Sequence, residues 1–328
     1  HRGMYVLKLD ETKKNIDRRV KVLYVTDSLK QRFGVTTVIV NYLKHLDWEK
    51  VQIDILAYSD SETEVVDILS KLGANVFYMP RLGVGTIKQF WKFQNDFFKK
   101  NKYDIVHSHF NQVDNIIFPI ARKNGTKKCI SHSHNTRLSD YKLKAIRNKI
   151  MCLGIYYNAD ICAACSSEAG KALFGKKFEK SNKKLIIRNA IECEKFVYNV
   201  DSRRILRREW KLEENNVVLG CVGSFKPQKN HDFLIDVFYK VYLSNKLFRL
   251  VLVGDGNTKR KIQDKVESLG IQEAVVFAGV RNDIPKVLSA LDIYILPSVY
   301  EGLGISAIEA QANGLNCILS SVVPKEAN

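Results

Sequence analysis

The sequence predicts an α/β protein made of two doubly wound parallel-sheet domains. Three observations point there. Apolar runs of strand length alternate with helical patterns between Arg19 and Ile187, and the alternation starts afresh at Val217. Some of these runs end in glycine-containing loops that open helices, as after Val222 and Leu296. At 328 residues the chain is also long for a single core.

The elements follow in order. Arg19 to Thr26 reads as a first strand, with Val20, Val22 and Tyr24 on one face. A loop from Asp27 to Phe33 leads to a helix from Gly34 to about Leu46, and Val51 to Tyr58 is a second strand. Glu62 to Leu72 is a helix stopped by Gly73, and Val76 to Met79 a strand closed by Pro80. Ile87 to Asn101 is strongly amphipathic. Strands at Tyr103 to His107 and Lys128 to Ser133 flank a helix from Val113 to Lys123. One long helix is expected from Lys142 to Asn158, then a strand at Ile161 to Ala164, a helix at Ser167 to Gly175 and a strand at Leu185 to Ile187. Arg188 to Phe196 reads as the crossing between domains, and Arg203 to Trp210 as a charged helix. Further strands are expected at 217–222, 249–253, 274–277, 291–296 and 315–320. The domain expectation is a flexible polar tail over 1–18, a first domain over 19–198 and a second over 199–328.

Composition narrows the class. Hydrophobic residues make up 45% and charged residues 27%, a globular balance rather than a disordered one. No apolar run approaches the roughly 18 residues that span a bilayer, and the N-terminal stretch lacks a signal-peptide core. Seven cysteines at irregular spacing predict reduced, buried thiols, Cys129, Cys152, Cys221 and Cys317 among them. Cys162 and Cys165 have redox spacing, but core packing explains them as well. The net charge is +17 and lies almost wholly in one half. Residues 1–198 hold 35 Lys and Arg against 20 Asp and Glu; residues 199–328 hold 17 against 15. Such an excess suits an anionic partner, such as a membrane surface, a lipid phosphate or a nucleic acid; a solvated lysine-rich surface is the plainer explanation.

Four groups of residues could carry chemistry. In Glu301-Gly-Leu-Gly-Ile-Ser-Ala-Ile-Glu309 two carboxylates bracket a helix start, with seven residues between them. Leu303, Gly304 and Ile305 can offer backbone N–H groups to a phosphate at the positive end of the helix dipole. Eight residues of helical rise span about 12 Å, so the two carboxylates could flank a diphosphate. Lys229 follows Gly223-Ser-Phe-Lys-Pro-Gln and can reach a diphosphate as a point charge. His107 with His109, and His132 with His134, share strand faces by their period of two. They could instead hold a metal, or merely satisfy buried strand ends. Around Tyr141 to Leu153, Lys142, Lys144, Arg147 and Lys149 alternate with apolar groups at helical spacing. That suits either an interfacial helix or a packed one with a solvated face.

These segments resemble the retaining glycosyltransferases of family 4, which have the GT-B fold of two Rossmann-like domains facing a cleft. The Glu301–Glu309 stretch is similar to the family's Glu-x7-Glu signature. Val222 to Leu234, Leu252-Val-Gly254-Asp-Gly256 and Phe277-Ala-Gly279-Val-Arg-Asn-Asp283 resemble the landmarks of its donor domain. Asp104 to His109 and Ile130 to Asn135 resemble the acceptor half of bacterial exopolysaccharide and capsule transferases. The resemblance covers roughly residues 18 to 328.

The resemblance implies a role for each position. His134, Glu301 and Lys229 would be catalytic. Gly34, with Arg32 and Phe33 before it, Ser224, Gly254, Val280, Arg281, Leu303, Gly304, Ile305 and Glu309 would bind the donor, Glu309 on ribose and Glu301 on the transferred sugar. Ser224 stands where the family usually has an arginine, and one glycine stands where two are usual. Lys226 is placed to compensate. No metal and no cofactor beyond the nucleotide sugar are expected. Family members continue past the 315–320 strand, so the second domain is expected to be incomplete. The enzyme expected is a cytoplasmic hexosyltransferase, peripheral at the inner face of the membrane. It would carry a hexose or N-acetylhexosamine from a UDP- or GDP-sugar to a lipid-linked saccharide acceptor in exopolysaccharide or capsule synthesis. The alternatives are a GT-B nucleotide-sugar epimerase and a basic nucleic-acid-binding protein. The second lacks aromatic–basic interleaving, so no nucleic-acid partner is expected.

Overall fold

The structure, a computed structural model, describes residues 19–30, 34–139 and 141–327. The expected tail over 1–18, and Arg32 and Phe33, lie outside the described residues. The first half runs β1 (Val20–Val25), α1 (Gly34–Lys44), β2 (Val51–Tyr58), α2 (Thr63–Lys71), β3 (Asn75–Met79), α3 (Ile87–Lys100), β4 (Ile105–Ser108), α4 (Asp114–Lys123) and β5 (Lys128–Ser133). It continues with α5 (Lys142–Met151), α6 (Ile155–Asn158), β6 (Ile161–Ala164), α7 (Ser167–Phe174) and β7 (Lys184–Ile186). The second half runs α8 (Val200–Glu209), β8 (Val217–Val222), α9 (His231–Ser244), β9 (Phe248–Val253), α10 (Lys259–Ser268), β10 (Val275–Gly279), α11 (Ile284–Ala290), β11 (Ile293–Leu296), α12 (Ile305–Ala312) and β12 (Asn316–Leu319).

The strands form two parallel sheets, ordered β3-β2-β1-β4-β5-β6-β7 and β10-β9-β8-β11-β12. Each sheet starts in the middle and reverses direction beside its first strand. Val22 of β1 thus pairs with Ile53 on one side and Ile105 on the other. Ligands of open α/β sheets bind at the carboxyl ends of the strands at such a reversal. Here those ends are β1 with β4 and β8 with β11; the end of β4 carries His107 and His109, with His132 and His134 at the end of the neighbouring β5, β8 opens the Lys229 loop and β11 the Glu301 loop.

Alternation builds the layers. Leu23 and Val25 face one apolar cluster, while Val22 and Tyr24 face the other. In β9, Val251 and Val253 face one cluster and Leu250 and Leu252 the opposite one. Burying each such side chain contributes about 1.5–3 kcal/mol, which is why strands covered on both faces read as nearly continuous apolar runs. One cluster holds residues of both halves, including Leu23, Phe118, Val251, Tyr294 and Leu303, so the two sheets share apolar packing.

Three expectations need correction. The long helix over 142–158 is two pieces, α5 and α6, broken at Gly154, whose φ of 81° leaves the helical region. The strand expected from Tyr103 starts at Ile105, because the Tyr103 hydroxyl donates to Asp54 and Asp104 accepts from the Lys21 N–H. The charged helix begins at Val200 rather than Arg203, because the Asn199 side chain accepts from the Ser202 N–H and caps it.

Candidate active site

The loop after β11 and the loop after β8 are laced together. The Val299 N–H donates to the Gln228 carbonyl at 2.9 Å, and Gln228 Nε2 donates to the Tyr300 carbonyl at 3.1 Å. Asn230 takes a left-handed φ of 54° and donates from Nδ2 to the Pro297 carbonyl. Asparagine tolerates that backbone region better than most residues. This lacing places Lys229 Nζ 2.6 Å from Glu301 Oε1, and Ser298 Oγ donates to the same oxygen at 2.6 Å. Both charged side chains are mostly enclosed, at 14% and 7% exposure, so little water screens the pair.

The same loop touches the first half. Thr136 Oγ1 donates to the Glu301 carbonyl at 3.0 Å, and Ser166 Oγ donates to the Gly302 carbonyl at 2.7 Å. A Cβ at Gly302 would lie 1.8 Å from the His134 carbonyl oxygen, so only glycine fits there. Nearby, a Cβ on Gly34 would come within 3.6 Å of Ile305 Cδ1. Glu326 accepts from the Ser167 N–H at the start of α7, and the Arg137 guanidinium lies 5.0 Å over the Tyr300 ring. Lys229, Glu301, His134, Gly34 and Ile305 therefore meet in one place.

Helix α12 starts at Ile305, after Gly304 at φ 83°. The two carboxylates are therefore not separated by two helical turns: Glu301 lies in the loop and Glu309 one turn into the helix. The turn needs the left-handed backbone at Gly304, so helix cannot extend back to Glu301. No backbone hydrogen bond among the described residues uses the N–H groups of Leu303, Gly304 or Ile305. They are donors at the positive end of a helix. Glu309 is half-buried and forms no side-chain hydrogen bond or ion pair among the described residues. Loss of water pushes its carboxyl up to about 7.

The four histidines form a stack at the ends of β4 and β5. His107 Nε2 lies 3.1 Å from His132 Nδ1, and His109 Nδ1 lies 2.8 Å from His134 Nε2. Burial lowers His107 to about 3 and His134 to about 4, and takes His109 and His132 well below their ordinary value. Like-charge repulsion between the rings adds to this for His107, His109 and His132. All four are neutral near pH 7. His107, His109 and His132 place one ring nitrogen each within 4.8 Å of one another, the nearest approach to a metal cluster among the described residues. Two of these nitrogens, His107 Nε2 and His132 Nδ1, face each other at 3.1 Å as a hydrogen-bonded pair, the satisfied strand-end arrangement rather than a set of free lone pairs. A cavity of about 140 Å3 opens beside them, lined by Asp27, Phe110, Asn111, His109, His134 and Arg137 among others.

The remaining predicted residues fall into two groups. Gly254 packs the β9 loop onto the β8 loop, where a Cβ would lie 2.1 Å from the Gly223 carbonyl, beside half-buried Ser224. Val280 is exposed, but the Arg281 guanidinium is held by Asp283 and Glu209 at 2.7–2.8 Å. Lys142, Lys144, Arg147 and Lys149 on α5 are all exposed, and so are Leu143, Ile146 and Ile150. The helix is therefore not a packed one with a solvated face: its apolar residues are uncovered too. Cys162 and Cys165 are free and buried, and burial raises them to about 11 and 12, so neither is a reactive thiolate. Reasoning from sequence missed Ser298, Thr136, Ser166 and Gln228. Each acts through a contact with a residue distant in the chain, which no local pattern signals.

Residues 202–326 match the family model described as glycosyl transferases group 1. EpsF of Bacillus subtilis (strain 168), named as a glycosyltransferase, is 28% identical over 316 residues, covering 94% of this chain and 81% of EpsF. An Escherichia coli UDP-Gal:alpha-D-GlcNAc-diphosphoundecaprenol alpha-1,3-galactosyltransferase is 30% identical over 233 residues, covering 68% of this chain and 59% of that protein. Among solved structures, Anabaena Alr3699/HepE in complex with UDP and glucose superposes with a TM-score of 0.76 at 18% identity, over 93% of this chain and 82% of that one. The family model and the two curated relatives are named for glycosyl transfer, and none of the three for an epimerase or a nucleic-acid-binding protein. No helix among the described residues is long and apolar enough to cross a membrane. With two parallel Rossmann-like sheets, and a group 1 glycosyl transferase match over most of the second, the chain is a glycosyltransferase of GT-B architecture.

Proposed function

We propose that the enzyme transfers a hexose or N-acetylhexosamine, with retention of anomeric configuration, from a nucleotide sugar to a lipid-linked saccharide acceptor in the synthesis of an exopolysaccharide, O-antigen or capsule. The observation that carries this reading is the Lys229–Glu301 pair, set beside the uncommitted N–H groups of α12 and opposite His134. A departing nucleoside diphosphate gains negative charge as its bond to the sugar breaks. A buried cation and preorganised N–H donors stabilise that charge most where water is excluded. An arriving diphosphate competes with Glu301 for Lys229. Glu301, released, can then accept from a sugar hydroxyl while Glu309 accepts from ribose. In front-face displacement the departing phosphate takes the acceptor's proton, which needs no separate base. The name of the Escherichia coli relative, a transferase of galactose from UDP-Gal to a diphosphoundecaprenol-linked sugar, supports a diphosphate-lipid acceptor.

The exposed basic and apolar face of α5 would lie on an anionic membrane, where such acceptors are held. The test is to incubate the enzyme with labelled UDP- and GDP-sugars and a diphosphate-lipid saccharide, then read the new anomeric centre by NMR. Retained configuration in an acceptor-dependent product supports the reading; an inverted product, or an altered sugar without acceptor, removes it.

A further inference from the structure

His109 has a specific relationship to His134. Their nitrogens Nδ1 and Nε2 lie 2.8 Å apart, so one ring donates and the other accepts. A neutral imidazole carries a single N–H, so this bond makes the two tautomers dependent on each other. If His109 donates from Nδ1, His134 accepts at Nε2 and carries its own proton at Nδ1. If His134 donates from Nε2, its Nδ1 is a bare lone pair. The outer nitrogens, His109 Nε2 and His134 Nδ1, are buried and have no partner within the fold.

The rings are also held in place. His109 stacks on His107 at 4.4 Å and 24°, and Tyr24 packs edge-on against it at 4.9 Å. His134 lies 4.1 Å from the His132 ring, and its own carbonyl abuts Gly302. Neither ring has room to flip without opening the stack. Both line the same cavity of about 140 Å3.

We propose that His109 is a positioning residue that donates from Nδ1 to His134 and so fixes His134 as an N–H donor at Nδ1, oriented for an oxygen of the donor sugar or its phosphate. This rests on reading His134 as the imidazole that faces the transferred sugar. The alternative tautomer would leave His134 with only a lone pair for a ligand rich in oxygen lone pairs. Either tautomer leaves one of the two outer nitrogens as a buried N–H without a partner in the fold, so what favours the proton on His134 Nδ1 is an oxygen-rich ligand that can accept it.

The test uses 15N-histidine-labelled full-length protein. In the wild type, NMR should show His134 protonated at Nδ1. In His109→Phe, which keeps an aromatic ring in the stack but removes the donor, the His134 signals should shift toward a tautomer mixture. The kcat should fall about tenfold, with the donor KM within twofold. His109→Asn, whose amide N–H stands near the Nδ1 position, should restore both. A wild-type His134 protonated at Nε2 overturns the proposal, as do His134 signals and kcat unchanged in a folded His109→Phe. The NMR result stands apart from the sugar-transfer reading. If no nucleotide sugar is turned over, that reading fails while the tautomer coupling is still measured.

Discussion

Lys229 Nζ and Glu301 Oε1 sit 2.6 Å apart, joined across 72 residues of sequence by two loops at the carboxyl ends of neighbouring strands. Lys229→Ala should lower kcat about 100-fold, because the departing diphosphate loses its nearest cation. Lys229→Gln should do nearly the same, since it keeps a hydrogen bond but no charge. Steady-state kinetics on folded variants checks this, and an unchanged kcat takes Lys229 out of the mechanism.

The two carboxylates should separate in binding assays. Glu309→Gln should weaken free nucleoside diphosphate in calorimetry, whereas Glu301→Gln should mostly spare it and lower turnover instead. With its carboxyl near 7, Glu309 is increasingly protonated below neutrality and then accepts poorly from ribose. Wild-type affinity should therefore fall as pH drops from about 8 to 6. The diphosphate's own titration contributes in both proteins, so the comparison is the difference in slope, which should be smaller in Glu309→Gln.

Gly302→Ala should damage catalysis without unfolding the protein. The new methyl would meet the His134 carbonyl at 1.8 Å, so the loop and the first half must move apart. A kcat loss of more than tenfold is expected, together with faster hydrogen exchange around residues 133–136. Wild-type kinetics in this variant would show that the contact is not needed during turnover.

The histidine stack should make the protein acid-sensitive. His107 titrates near 3 in the fold, against about 6.5 when unfolded, so between these values the unfolded chain binds more protons. Stability should fall as pH is lowered through that window and stay flat above about 6.5 on this account. Glu309 acts in the opposite sense: its raised value makes stability fall slightly as pH rises from about 4.5 to 7. Buried Asp114, also raised to about 7, adds to Glu309, but the four histidines together with His231, lowered to about 4, outweigh these two carboxyls, so the melting temperature should drop on acidification. His107→Phe should flatten part of the drop.

The α5 face should bind vesicles. Association with anionic liposomes should exceed that with neutral ones and weaken with salt, as expected for exposed charges screened over about 8 Å. Replacing Lys142, Lys144, Arg147 and Lys149 with Gln should reduce it further. Equal binding to both vesicle types in a sedimentation assay would remove the electrostatic part of the argument.

Much of this protein is written in local pattern. Val51–Tyr58 and Lys128–Ser133 read as strands whose bounds agree with the structure to the residue, because a strand-length run of residues buried on both faces is a property of the segment itself. The Gly loop before α12 and the paired histidines could be read as ligand-facing for the same reason. Helix breaks were less legible: one helix was expected over 142–158, and the left-handed backbone at Gly154 divides it into α5 and α6. What the sequence determined alone was the two-sheet class, the order of the elements and the residue types at the strand ends. The tertiary structure decided that Lys229 meets Glu301, that Ser166 and Thr136 hold the Glu301–Gly302 loop, that Arg281 is tied to Glu209 and Asp283, and that His109 bonds His134. Periodicity places a side chain on a face of its own element. Which partner it meets depends on how parallel strands are ordered across the sheet and how the two sheets dock, and these are set by packing between segments far apart in the chain.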